Sequence, residues 1–265
     1  MVDPVKLGND WKLKIEDYDP KFDYPEHPEC DKVQGIHLRV PPSENGGYLE
    51  TGMSFIPKLG KKIYSGDFNL LTIIPPATCL MEDTMVKCLG DSISVIAKYT
   101  QESTLTPDPK ERIYLIASGY IASLHVADAT SKGLIPIPSF QNEYVEGNFQ
   151  DGTRLKSSFV TRSPLCSQVV INGPSESYAL KMVSKSNSKV VGINPNNLKG
   201  GGSSDITIKL KDGTTYIITY PTFTVNNGCT SDKRVYFNND IIPYIWDKTN
   251  KLMLKFEFKM ADKSS

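Results

Sequence analysis

Three features of the sequence predict an α+β domain in which a helix pair precedes an antiparallel meander of strands. Apolar residues recur at three- and four-residue steps between about residues 79 and 131. From about Arg154 that period changes to two. Gly, Pro and Asp-Gly punctuation then separates the alternating segments. Helices followed by strands in separate runs give the α+β class. Strands in such number close into a barrel or pack as a sandwich, because open edges invite pairing with other chains.

The elements are expected in the following order. Residues 1–50 form a polar, acidic arm rich in Pro and aromatics, with one short strand over Gly35–Val40. Residues 51–265 form a single domain. Its first segment, 51–64, carries Met53, Phe55, Ile56 and Leu59 in an amphipathic pattern that Pro57 interrupts. Phe68–Ile74 is an apolar run stopped by Pro75-Pro76, which predicts a buried strand with a sharp exit. Leu80, Met81, Met85, Leu89, Ile93, Ile96 and Tyr99 predict the first helix, with Gly90 as its weak spot. Asp108 caps the second, Pro109 suits its first turn and Glu111 follows three after the cap. Ile113, Ile116, Ala117, Tyr120, Ile121 and Leu124 give that helix its apolar face.

The strands run from about 143 to 260. Lys189–Ile193, Asp205–Lys211, Thr214–Tyr220 and Lys251–Phe258 are the clearest. Asp212-Gly213 predicts a tight hairpin, because both residues tolerate positive φ. Gly200-Gly201-Gly202 reads as a mobile loop or a wide bend. It lacks the Lys-Ser/Thr and the following helix that a phosphate cradle needs.

Composition narrows the function classes. The chain has 265 residues, 39% hydrophobic and 23% charged, which fits a soluble globular protein. With 30 basic and 30 acidic residues the net charge is zero, so contact with nucleic acid or an anionic membrane requires a local patch. No nucleic-acid partner is expected. Cys30, Cys79, Cys88, Cys166 and Cys229 are odd in number and form no CxxC pair. They read as reduced thiols of a cytoplasmic protein rather than a disulfide framework or zinc ribbon. The N-terminus has no signal-peptide core and no apolar run is long enough to span a bilayer.

A search for chemistry yields no site. His27, His37 and His125 are the only histidines and belong to no metal-binding pattern. His125, near the end of the second helix, suits the negative end of the helix dipole. There is no GxSxG elbow, and the acidic run Glu16-Asp17-Tyr18-Asp19 lacks calcium-loop spacing. No catalytic residue, metal or cofactor is expected, and the protein reads as a non-enzyme. Lys58, Lys61 and Lys62 lie beside Phe55, Ile56 and Leu59. That combination suits either transient contact with a membrane surface or an ordinary amphipathic surface segment.

A collinear set of motifs resembles the lipid-binding domain of the oxysterol-binding-protein-related family over roughly residues 50–260. Ser65–Pro76 (SGDFNLLTIIPP) is similar to the family's Gly-Asp-Leu-Ser strand, which runs into a Pro break. Asp108–Ser131 resembles the helix that begins Asp-Pro with Glu-Arg in its first turns. Lys132–Glu143 (KGLIPIPSFQNE) keeps Lys132, Leu134 and Pro136 of the Lys-Pro-Phe/Leu-Asn-Pro-x-Leu-Gly-Glu signature, with Ile135 in place of Asn. Ser158–Leu165 (SFVTRSPL) stands where the Glu-Gln-Val-Ser-His-His-Pro-Pro fingerprint belongs; Arg162 and Ser163 replace the two histidines. Thr214–Gly228 is similar to the Tyr-x-x-Thr-x-Pro segment, and the Thr249–Lys259 stretch to a late strand.

The resemblance implies an incomplete antiparallel β-barrel around a lipid tunnel closed by an N-terminal lid, here 51–64. It implies binding and transfer of a sterol-like lipid or a phospholipid. By position, Met53, Phe55, Ile56 and Leu59 are lid residues. Leu134, Ile206, Ile208, Phe223 and Val225 are either tunnel lining or plain barrel core. Lys132, Arg162 and Ser163 are headgroup candidates. Arg162 offers a bidentate phosphate donor. Loss of the His pair, and of the family's C-terminal basic extension, points to an altered or lost phosphoinositide site. The alternative is a degenerate barrel that serves as a protein-interaction or scaffold module.

Overall fold

A computed structural model describes residues 30–31, 35–37, 61, 64, 80–130, 135–162, 165–190, 198–226, 234–238 and 242–258. The expected strand at Phe68–Ile74 lies outside these residues, as does the expected lid at 51–64 apart from Lys61 and Tyr64.

The first helix, α1, spans Met85–Leu105 and starts later than its period suggests. Leu80 and Met81 belong instead to a short strand, β3 (Leu80–Thr84), which pairs in parallel with β4 (Ile135–Ile137). Tertiary pairing overrides helical periodicity there. The start of α1 is capped from afar. Thr84 makes no side-chain cap. The backbone N–H of Val86 donates to Ser139 Oγ at 3.2 Å, and Ser157 Oγ donates to Val86 O at 2.6 Å. The first bond serves an N–H that the first helical turn cannot pair by itself, and the second adds a donor to a carbonyl of that turn.

The second helix, α2, spans Pro109–Thr130, and Lys110 N donates to Asp108 Oδ1 at 3.1 Å as the cap predicts. Ile113, Ile116, Ala117, Tyr120 and Leu124 are buried. Ile121 is 52% exposed, and Leu115, off the predicted stripe, is buried instead. His125 is exposed and lies ahead of the last turn, which holds no basic residue. The dipole effect fades within one turn, so the capping role expected of His125 fails. At Gly119 the helices pack closely: a Cβ there would stand 3.0 Å from Tyr99 Cβ and 3.2 Å from Ile96 Cα. Gly90 is likewise a contact point, where a Cβ would meet Ser157 Cβ at 3.2 Å.

Ten strands follow. They are β5 (Tyr144–Asn148), β6 (Arg154–Arg162), β7 (Leu165–Asn172), β8 (Tyr178–Val190), β9 (Leu198–Leu210), β10 (Thr215–Thr219), β11 (Thr222–Asn226), β12 (Arg234–Asn238), β13 (Tyr244–Asp247) and β14 (Leu252–Lys255). Together with β1 (Cys30–Asp31) and β2 (Gly35–His37) they build one 12-stranded antiparallel sheet. β5 to β9 pair in sequence order.

The far side of β9 is shared. Asp205–Lys209 pairs with β10 and Leu198–Gly200 with β11. β10 and β11 are thus two lengths of one strand line, interrupted at Tyr220-Pro221, where proline has no N–H to offer a ladder. β13 and β12 continue this pattern on the next line, followed by β14 and β2. Among the described residues β5, β14 and β1 each pair on one side only, so the barrel is incomplete. β2 comes from the expected polar arm, and it joins β12 through Ile36 opposite Val235.

Two expectations about the turns are corrected. Gly200-Gly201-Gly202 is not a loop. It lies inside β9, opposite Ser188, Asn187 and Ser186 of β8. Two-sided pairing at Gly200 offsets the roughly 0.5–1 kcal/mol that each interior glycine costs. The hairpin after β9 is longer than a two-residue turn. Gly213 N donates to Leu210 O at 3.0 Å and Leu210 N to Thr214 O at 2.9 Å, and Gly213 alone takes positive φ, at 89°. A turn closed by one left-handed glycine matches the twist of the strands without asking Asp212 for positive φ.

One face of the sheet carries the core. Across the strands run two apolar rows: Leu155, Ile171, Leu180, Ile208 and Tyr216, then Val169, Met182, Ile206, Ile218 and Ile245. Ile93, Ile96, Ile113, Ile116 and Tyr120 of the helices complete the same cluster.

Candidate functional site

The inward face of the sheet divides into two halves. In the half over which the helices pack, Ile206 and Ile208 are 0% exposed and surrounded by protein. On β7 to β9 the next row is polar and small, and Phe159 of β6, 2% exposed, closes it opposite Ser167. Ser167, Ser184 and Ser204 stand side by side on β7, β8 and β9, and the Ser184 and Ser204 hydroxyls share a hydrogen bond of 2.8 Å. Beyond them the register pairs Ser186 with Gly202, and Ser188 with Gly200 and Phe223. Val190, Leu198 and Val225 form the row after that.

The break at Tyr220-Pro221 aligns these positions. Along β10, even-numbered residues face the core, as Ile218 opposite Ile206. After the break Phe223 pairs with Gly200, so the register slips by one and odd-numbered residues face inward. Ile206, Ile208, Phe223 and Val225 therefore belong to one face. Phe223 is 40% exposed.

A polar junction seats α2 on this break. Tyr120 donates from its hydroxyl to Thr219 O at 3.1 Å, and Ser123 Oγ lies 2.9 Å from Tyr220 Oη. The Tyr120 and Tyr220 rings meet edge to face at 5.4 Å. Burial, and then the neighbouring Tyr220, push the Tyr120 phenol above its ordinary range, so it acts as a fixed neutral donor. Neither the serine row nor this junction stands out in the sequence, except through the Tyr-Pro pair inside a strand pattern.

Of the headgroup candidates, Arg162 ends β6 at the helix-free end of the sheet, exposed and opposite Leu165. Lys132 and Ser163 lie outside the described residues, as do Leu134, Met53, Phe55, Ile56 and Leu59. Lys61 is exposed. Cys88 and Cys166 are free thiols, and burial raises the Cys88 thiol above its ordinary value, which disfavours the thiolate. Among the described residues no cluster of His, Cys, Asp or Glu is placed to hold a metal ion, and no helix is long and apolar enough to cross a membrane.

No family model and no curated protein matches the sequence. Solved structures do. The ORD of Osh3 from Saccharomyces cerevisiae, solved in complex with PI(4)P, aligns with a TM-score of 0.62 and 17% identity, covering 83% of this chain and 53% of that one. The fold is that of an ORD. The Osh1 ORD in complex with cholesterol aligns with a TM-score of 0.58 and 14% identity, covering 73% of this chain and 46% of its own. The same ORD in complex with ergosterol gives a TM-score of 0.56 and 14% identity, covering 68% and 42%. The chain spans about half the length of these ORD chains.

Proposed function

We propose that the chain binds a lipid, of sterol-like shape, over the helix-free half of the inward sheet face and carries it between membranes. The observation that carries this reading is the change along that face. Across β7 to β9 the bulky side chains stop at Met182 and Ile206 and serine and glycine follow, flanked by the buried Phe159 of β6 and ending at Phe223. Glycine and serine leave room above a sheet, and an apolar guest gains roughly 25 cal/mol for each Å² removed from water. The ORD fold supports the reading, since relatives in shape have been solved with a phosphoinositide and with sterols. In this reading Ile206 and Ile208 form the floor on which the pocket rests, and Phe223 and Val225 contact the guest. In the same reading Met53, Phe55, Ile56 and Leu59 serve as the lid and Leu134 as a tunnel residue. Arg162, with Lys132 and Ser163, provides what remains of a phosphate site.

Native mass spectrometry of protein purified from cells tests the proposal, with co-purified lipid as the expected result. Absence of any lipid, together with no saturable dehydroergosterol or phospholipid binding, would refute it. A second reading is a scaffold barrel. It is favoured by the solid packing of the helix-covered half, where Val169, Ile171, Leu180, Ile206 and Ile208 are all 0% exposed. Arg162→Ala separates headgroup from tail recognition: phosphoinositide binding that survives the change would place the headgroup elsewhere.

A further inference from the structure

The outward face of the sheet carries a basic depression at the end opposite Arg162. The register sets Arg154 of β6, Asn172 of β7, Ala179 of β8 and Lys209 of β9 in one row across four strands. At about 4.8 Å per strand, Arg154 and Lys209 stand about 14 Å apart. Between them Ala179 is exposed, and the small side chain leaves a cleft of about 350 Å³ that Lys211 also borders. Lys181 lies one row further along the same face.

Arg154, Lys181, Lys209 and Lys211 are all exposed, and none makes an ion pair among the described residues. Nearby acids are largely occupied. Glu146 holds Lys156 at 2.8 Å, Asp212 holds Arg112, and Asp151 accepts from Thr153 N at 2.8 Å. Glu176 at the rim and Asp205 two rows away remain exposed. Counting Asp151, whose backbone hydrogen bond leaves its charge uncancelled, four cations face three acids without a cationic partner, a net positive patch on a chain whose net charge is zero.

From this geometry we infer that the face docks on an anionic lipid bilayer, with headgroup phosphates seated between Arg154 and Lys209. Charge complementarity selects the partner. The cations are spread over a surface of several strands, and the aromatic residue that lines the cleft, Tyr178, is 2% exposed and offers no platform on which nucleic-acid bases would stack. The inference deepens the carrier reading, since a carrier must meet membranes, yet it rests on different residues.

The test is co-sedimentation of the full chain with phosphatidylcholine vesicles, with and without phosphatidylserine. The expected result is phosphatidylserine-dependent binding that weakens as salt is raised. Each basic residue near such a surface contributes about five-fold in affinity. Changing Arg154, Lys181, Lys209 and Lys211 together to Gln should abolish sedimentation. Ala179→Glu, which puts a carboxylate in the centre of the row, should do the same. Lys98→Gln with Lys110→Gln, on the exposed sides of the helices, should leave it intact, with circular dichroism confirming the fold of each variant.

Binding that ignores phosphatidylserine, or that falls equally in the helix variant, would overturn the inference. So would saturable binding of inorganic phosphate, RNA or an acidic polypeptide at these residues without vesicle binding. Loss of co-purified lipid with vesicle binding intact would instead refute the carrier reading and leave the docking face standing.

Discussion

Truncating Ile206 and Phe223 separately tests whether the inward face has two halves. Ile206 is 0% exposed and in register with Met182 and Ile218, while Phe223 is 40% exposed beyond the serine row. Ile206→Ala removes buried methyl and methylene groups from a site enclosed on all sides, which costs about 2–5 kcal/mol. At about 2–4 °C per kcal/mol for a domain of this size, 3 kcal/mol lowers the melting temperature by about 6–12 °C. Phe223→Ala uncovers a side chain already partly in water, so its cost should be about half as large at most, and its main effect should fall on lipid binding. Urea titration at constant m-value measures the first quantity, and dehydroergosterol binding the second. The reasoning fails if Ile206→Ala costs under about 1 kcal/mol while abolishing lipid binding. Ile206 would then border empty space, and the division between packed floor and guest-facing wall would be misplaced.

Three further outcomes follow from local geometry. Gly119→Val should destabilise by about 1–3 kcal/mol in thermal melts, because Ile96 Cα, a backbone atom, stands 3.2 Å from the added Cβ. Ser139→Ala should cost about 1–2 kcal/mol by stranding Val86 N–H at the start of α1, and Ser139→Thr should recover part of that loss. Asp212 provides a pH test. Burial alone would raise its carboxyl pKa, but bonds from Thr214 and the Arg112 guanidinium win and hold it below the ordinary value. A lowered folded pKa means a contribution present above about pH 4 and lost as pH falls through the folded value. Asp212 is 45% exposed, so solvent screening keeps the effect within about 1 kcal/mol. Acid unfolding of Asp212→Asn should lack that increment, and an unchanged acid profile would count against the ion pair.

What the sequence made legible followed from how local each signal is. The α2 cap at Asp108, the strands from Asp205 to Tyr220 and the alternation of Leu252–Lys255 were readable because their spacing and turn chemistry are contained in a few residues. Gly200-Gly201-Gly202 misled because glycine in isolation signals a turn, whereas long-range pairing to β8 and β11 holds it extended. The start of α1 misled for a similar reason: β4, some fifty residues on, claims Leu80. The apolar candidates Ile206, Ile208, Phe223 and Val225 were assigned as one group, and the register sets them on one face. Alternation could not reveal that the first two lie under helices, because the helix–sheet contact is tertiary. Nor could it flag Arg154, Lys181 and Lys209 as a patch, since they are scattered in the chain and only the ladder draws them into neighbouring rows.

The slip at Tyr220-Pro221 also sets the frame in which this part of the chain is spelled. Upstream the inner wall is written on even numbers, and downstream on odd. A single residue added or removed at that point would move Phe223 to the other face and set Thr222 and Thr224, buried now on that other face, on the inner wall, without altering any side chain. Length at this dipeptide is therefore as much a specification of the wall as the identity of the residues that face it.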